Sequence, residues 1–222
     1  MENLFITSDL HFYHRNIIKY CNRPYEFTWE AVAKMNEDIL KQFDELPAGS
    51  TIINNGDIGL NSSLDFDKLK YLVDRMKRND KKLWIILGNH DRDMHLHCKS
   101  LRNFKSAEEL FEAIGFDRVF SFPILLENKY LLSHEPVYLK PGCNLINIYG
   151  HTHDIDIDEN YFNRDCENWA MAERVIKEGI SENLEYPDTS VKPLGLFVDT
   201  SNYFNVCWDK HHRILKFDEV CI

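Results

Sequence analysis

Three times in the first half of this chain an apolar run of strand length stops at a short polar loop that carries an aspartate. Residues 3–7 lead into Ser8-Asp9-Leu10-His11, residues 51–53 into Asn55-Gly56-Asp57, and residues 83–87 into Gly88-Asn89-His90-Asp91. Helical stretches over residues 16–21, 28–46 and 64–77 separate them. A chain that alternates short buried strands with helices hides its apolar surface by layering the helices on a sheet, so the pattern predicts an α/β fold. The polar loops then converge where the strands end, the place where such sheets bind ligands.

The longest helical stretch shows the same logic locally. Trp29, Val32, Met35, Ile39 and Phe43 recur at spacings of three or four, which puts them on one helix face, with Thr28 as the N-cap and Pro47-Ala48-Gly49 as the break. Beyond residue 118 the texture changes to short strand patterns over 120–126, 129–132, 145–149, 203–208 and 214–217, which read as a meander with His211-His212 in a hairpin turn. Residues 154–200 look like an insertion. They hold an amphipathic helix over 164–180 (Trp169, Ala172, Val175, Ile176 and Ile180 on one side), either a cap over a cleft or a helix packed on the scaffold's edge. Residues 1–222 read as one domain.

Composition excludes several functions. The net charge of −10 argues against a broad basic footprint for nucleic acid, which is possible as a partner but not favoured. No run is apolar enough to span a membrane, and the start of the chain lacks a basic, then apolar, leader, so the expectation is a cytoplasmic protein with no membrane partner. Six cysteines without a CxxC pair point to reduced thiols rather than a disulfide framework or a thiolate zinc site. Oligomeric state is not legible.

The polar loops supply Asp9, His11, Asp57, Asn89, His90, Asp91, His134, His151 and His153, most of them directly after an apolar strand run. Imidazoles with carboxylates suit borderline divalent metals, and a carboxylate can bridge two of them because each oxygen has spare lone pairs. Asp57 is the natural bridge. Two such cations, about 3.5 to 4 Å apart, hold a bridging hydroxide and neutralise charge at a phosphoryl group. Two aspartates against two divalent cations leave the centre positive within an acidic chain. Gly56, Gly88 and Gly150 precede the polar clusters, where glycine permits unusual dihedrals or close backbone approach. Two other groupings carry less. His95 and His97 lack a matching partner pair for a metal clip, and Asp154, Asp156 and Asp158 begin like a calcium loop, but Glu159 stands where that loop needs glycine.

In order, Asp9-Leu-His11, Gly56-Asp57, Gly88-Asn-His-Asp91, His134 and Gly150-His-Thr-His153 resemble the calcineurin-like metallophosphoesterase superfamily, with its D-x-H, GD, GNH[D/E], H and GHxH motifs. His14-Arg-Asn-Ile-Ile18 and Asn22-Arg-Pro24 resemble a bacterial and phage branch of it, although Tyr13 stands where that branch often has glycine. The resemblance implies a four-layer αββα sandwich, two facing mixed sheets with helices outside and the metal site at the C-terminal strand ends. It implies two divalent metal ions from among manganese, iron, nickel, cobalt and zinc. Asp9, His11, Asp57 and His153 would hold one, and Asp57, Asn89, His134 and His151 the other. It leaves His90 to act on substrate with Asp91 orienting its imidazole. His14, Arg23 and Arg92 are candidates for contacting a substrate phosphate.

The implied activity is hydrolysis of a small phosphate ester. A phosphodiester is favoured because Gly56-Asp57-Ile-Gly-Leu-Asn61 lacks the Asp-Arg-Gly continuation of the protein phosphatase and dinucleoside tetraphosphatase branches. The alternatives are a phosphomonoesterase, a nuclease, or a non-catalytic metal-binding scaffold.

Overall fold

The computed structural model describes residues 3–60, 64–162 and 198–220. The helix expected over residues 164–180 lies outside them. Among the described residues the strands form two sheets, the first of five strands and the second of four. In the first, β1 (Leu4–Thr7), β2 (Thr51–Asn54), β3 (Lys82–Ile86) and β4 (Arg118–Phe120) run parallel, and β9 (Leu215–Lys216) is antiparallel to β1. In the second, β5 (Ile124–Leu126) is antiparallel to β6 (Tyr130–Ser133), while β7 (Ile146–Tyr149) and β8 (Tyr203–Asn205) continue parallel to β6.

Strands of the first sheet are apolar on both faces because both faces are covered. Phe5, Ile52, Leu83 and Ile85 point outward to helices α2 (Trp29–Glu45), α3 (Phe66–Met76) and α5 (Ala107–Ile114). Leu4, Ile6, Ile53 and Ile86 point the other way and meet Tyr130, Leu132, Ile148 and Val206 between the sheets. A smaller cluster of Tyr149, Ile157, Phe162 and Val198 lies beyond the second sheet. Two facing mixed sheets with helices outside are thus the architecture.

The helix starts are capped as their sequences require: Thr28 Oγ1 accepts the Ala31 N–H at 3.1 Å, and Asp65 accepts the Lys68 N–H at 2.8 Å. Val32, Met35, Ile39 and Phe43 of α2 are buried, but Trp29 is exposed, one turn too early for the core. Truncating Ile39 or Phe43 to alanine would cost about 2–5 kcal/mol. Helix α5, unassigned from periodicity, carries a readable signature in Ser106-Ala-Glu-Glu109, where Ser106 accepts the Glu109 N–H at 3.2 Å.

The meander expectation is corrected: the strands β6, β7 and β8 are parallel. The run over 120–126 is two strands, β4 in the first sheet and β5 in the second, and Pro123, which has no N–H to donate, sits at the crossing between them. His211-His212 is no hairpin turn. It ends the one-turn helix Trp208–His211, with His212 in the left-handed region at φ 52°. Among the described residues no helix is long and apolar enough to cross a membrane.

Candidate metal centre

Parallel β1, β2 and β3 of one sheet and β6, β7 and β8 of the other all end at one edge of the sandwich. Asp9 and His11 follow β1, Asp57 follows β2, and Asn89, His90 and Asp91 open the short helix α4 (Asn89–Arg92) after β3. His134 follows β6, and His151 and His153 follow β7. A parallel bridge between Ser8 and Cys207 joins the ends of β1 and β8, so the two sheets meet where these loops gather. The loops are laced by backbone bonds, Asp9 N–H to Gly56 O at 3.0 Å, His11 N–H to Asp57 O at 3.1 Å and Gly150 N–H to His134 O at 2.8 Å.

The expected unusual dihedrals fall mainly on the donors themselves. Asp9, His11, Asp57, His151 and His153 have φ of 56°, 50°, 54°, 71° and 55°. Left-handed backbone at five side-chain-bearing residues is strain of the kind that surrounding structure must hold in place at a functional site. Gly88 and Gly150 serve close approach instead: a Cβ would lie 2.6 Å from Asp57 N at Gly88, and 2.6 Å from Asp9 Oδ2 at Gly150.

The structure brings the donors into two groups. Asp9, His11 and His153 each offer a ligand atom within 4.8 Å of the others, as do Asp57, His134 and His151. Asn89 Oδ1 joins the second group, 3.0 Å from His134 Nε2 and 3.1 Å from His151 Nδ1. Asp57 lies between the groups: Oδ2 is 3.8 Å from His11 Nε2 and 3.5 Å from His134 Nε2, while Oδ1 accepts the His90 N–H at 3.0 Å.

Divalent cations fit these residues. Asp9 Oδ1 and both ring nitrogens of His11 are buried with no hydrogen-bond partner among the described residues, an arrangement costing about 1–3 kcal/mol per group unless something else satisfies it. His134 Nδ1 bonds the Asn55 carbonyl at 2.7 Å, so that nitrogen carries the proton and Nε2 the lone pair. This lone pair faces Asn89 Oδ1 and, at 3.3 Å, His151 Nδ1. Acceptors crowded together in this way call for a positive charge among them.

Behind the first group stands a buttress that the sequence analysis missed. Asp209 Oδ2 accepts from His153 Nδ1 at 2.8 Å, fixing the tautomer that leaves Nε2 as donor to a metal. Arg23 grips Asp209 with Nε at 2.6 Å and Nη2 at 3.1 Å, and it also donates to the carbonyls of Leu10 and Asp9 at 2.9 Å each. Cys207 Sγ adds a bond to Asp9 Oδ2 at 3.0 Å. Arg23 is therefore corrected from substrate contact to buried support, since its fork is fully spent. Nothing in Cys207-Trp-Asp209 forms a recognisable motif; only its place after a strand run marks it.

Asp91 is also corrected. It does not bond the His90 imidazole; its carboxylate accepts the N–H groups of Asp57 at 2.7 Å, Gly88 at 2.9 Å and Ile58 at 3.2 Å, tying two ligand loops together. Arg92 reaches Glu135 at 3.3 Å on the surface. His14 is buried with its ring 5.4 Å from that of His11, and its Nδ1 has no partner among the described residues.

Electrostatics reflect the crowding. Burial works to raise the Asp9 carboxyl, yet His11 beside it and the charges of His134 and His153 hold it well below the usual carboxylate range. Burial, with the charges of Asp91 and Asp9, pushes the Asp57 carboxyl up to about 8 against the pull of His134. Burial takes the His11 imidazole down to about 4. Burial would also lower His153, but its bond to Asp209 and the neighbouring Cys21 push it up to about 10. A cation held by these residues would compete with the protons of Asp57 and His153.

Carboxylates, imidazoles and a carboxamide gathered at the strand ends of an α/β sandwich make a candidate metal centre. A family model described as calcineurin-like phosphoesterase matches residues 3–178, and the chain belongs to that family. Over 93 residues it is 32% identical to an uncharacterized protein of Methanocaldococcus jannaschii, a match covering 41% of this chain and 48% of that protein, about half its length. A crystal structure of a protein of unknown function from Aquifex aeolicus matches with a TM-score of 0.50 at 20% identity, covering 98% of this chain and 97% of that one. At that identity the likeness is one of fold.

Proposed function

We propose that this chain is a metal-dependent phosphodiesterase acting on a small, nucleotide-like phosphodiester through a two-cation centre. The observation that carries the proposal is the single oxygen Asp57 Oδ2, 3.8 Å from His11 Nε2 and 3.5 Å from His134 Nε2, which faces both donor groups at once. Asp9, His11, Asp57 and His153 would hold one cation, and Asp57, Asn89, His134 and His151 the other. When bound, such a pair acidifies water, polarises phosphoryl oxygens and offsets charge in an in-line displacement.

The remaining work falls to the chain itself. The backbone N–H of His90 is spent on Asp57, while its ring lies 5.5 Å from the His11 ring with the side chain 33% exposed. Burial holds the His90 imidazole below its usual range, so it is neutral at pH 7 and donates a single N–H to a phosphoryl or leaving-group oxygen. Asp91 keeps His90 in register by fastening the Gly88 and Asp57 loops. His14 is the next donor inward from the surface.

The preference for diesters is supported by what the arginines do. A monoester dianion calls for a cationic fork, but the fork of Arg23 is consumed by Asp209, that of Arg92 faces Glu135 and that of Arg15 lies over the rings of Phe27 and Trp29. A diester carries one charge fewer. The test is hydrolysis of bis-p-nitrophenyl phosphate against p-nitrophenyl phosphate by chelator-stripped protein, with manganese, nickel, zinc or magnesium restored singly. Metal-dependent cleavage favouring the diester is expected; preference for the monoester would make the chain a phosphatase, and silence with every metal would sink the enzymatic reading. His90→Ala is expected to keep both metals and lose about 10²-fold in turnover; unchanged turnover would remove His90 from the chemistry.

A further inference from the structure

We propose that the surface formed by helix α1 (Ile17–Tyr20) and the segment 25–29 receives the nucleobase of the substrate, which makes that substrate a nucleotide phosphodiester. The proposal rests on the hydrolase reading above and names its substrate class. Its starting point is a line of rings leading out of the centre. The His14 ring is 5.4 Å from His11 and 6.1 Å from Tyr20, in edge contact with the latter. His14 is 7% exposed with Nδ1 unpartnered among the described residues, whereas Tyr20 is 72% exposed. Helix α1 anchors itself through Ile17 and Ile18, so the Tyr20 ring contributes little to the core. Two ring-to-ring steps thus lead from a ligand to an open aromatic face.

Two cations from the same stretch of chain, Arg15 and Lys19, lie over rings of the segment 25–29. Arg15 lies over the rings of Phe27 at 4.5 Å and Trp29 at 5.1 Å, and Lys19 Nζ over Phe27 at 3.7 Å. Neither is ion-paired among the described residues, although Lys34, Lys70, Arg75 and Arg213 all find a carboxylate. In a chain with 36 acidic and 26 basic side chains, two cations held by rings rather than by carboxylates stand out on this surface. Trp29, expected in the core, is 53% exposed here instead. Exposed aromatic faces interleaved with Arg and Lys are how proteins stack bases while holding the backbone phosphate. A substrate that was phosphate alone would leave Tyr20 and Trp29 without a role.

The experiment compares two esters sharing one leaving group, thymidine 5′-(p-nitrophenyl phosphate) and methyl p-nitrophenyl phosphate, with manganese-loaded protein. The unaltered chain is expected to favour the thymidine ester in kcat/KM. Tyr20→Ala, and separately the pair Arg15→Gln with Lys19→Gln, are expected to cut that preference about 10-fold, mainly through KM, while Tyr20→Phe retains it. Equal losses on both esters, or an unchanged preference, would overturn the proposal. Calorimetric binding of thymidine 5′-monophosphate is read separately, so failure of both esters to turn over would remove the hydrolase reading while base recognition was still scored. Tighter binding of thymidine 5′-monophosphate than of inorganic phosphate, lost in Tyr20→Ala, supports the site; equal binding of the two overturns it. A short oligothymidylate that binds no better than the mononucleotide assigns the site to a single nucleotide, and tighter binding assigns it to a strand.

Discussion

The two donor groups of the centre differ in how they are held. Asp9 and His11 are buried, and the group is buttressed by Cys207 on Asp9 and by Arg23-Asp209 behind His153. In the second group His134 is pinned to the Asn55 carbonyl, but Asn89 is exposed and, among the described residues, its side chain leans only on the two imidazoles it accompanies. Outer partners fix ligand orientation and basicity. The difference teaches that the first group is preorganised from within the protein, whereas the second leaves one donor, Asn89, exposed beside the buried Asp57 and His134.

The comparison can be broken most sharply at the residue common to both groups. Asp57→Asn should release both cations, a larger effect than the roughly 10–100-fold that outer partners cost; two metals still tightly bound by elemental analysis would remove Asp57 as the bridge. Asp209→Ala should weaken one cation by about 10–100-fold and spare the other. Calorimetric titration would then show the gap in affinity between the two sites narrowed from that of the unaltered chain, and equal weakening of both would contradict the asymmetry. Acid should weaken uptake as well. With the Asp57 carboxyl pushed up to about 8, a cation must displace its proton at any lower pH, so affinity should fall as pH drops below that value, by about tenfold per unit for each proton displaced. Proton release measured in buffers of different ionisation enthalpy checks the sign, and a pH-independent affinity would contradict it. The smallest effect belongs to Arg92→Ala, which removes a surface ion pair with Glu135 and should cost under about 1 kcal/mol in denaturant unfolding. A larger loss, or one confined to the second cation, would make Arg92 part of the second group's support.

What the sequence disclosed follows a physical line. Strand and helix periods, caps and the polar loops after β1, β2, β3 and β7 are written locally, so the α/β layering and the donors brought together here were readable. Sheet order was not, because β6, β7 and β8 pair in parallel across long connections that periodicity does not record. Asp209 was invisible for the same reason: it meets His153 only because β8 is brought beside β1 and β7. Arg23 and Asp91 were misassigned because a charged side chain near a motif looks the same whether it turns toward substrate or toward backbone.

The Ser8-Cys207 bridge has a mechanical consequence. Asp9, His11, Asp57 and Asn89 arrive from one sheet, and His134, His151 and His153 from the other, so each donor group spans the junction of the sandwich. A cation held by either group is therefore a cross-link between the two β-layers as well as a reagent. A chelator would act on this protein twice, withdrawing the chemistry and unfastening the layers along the edge where they join.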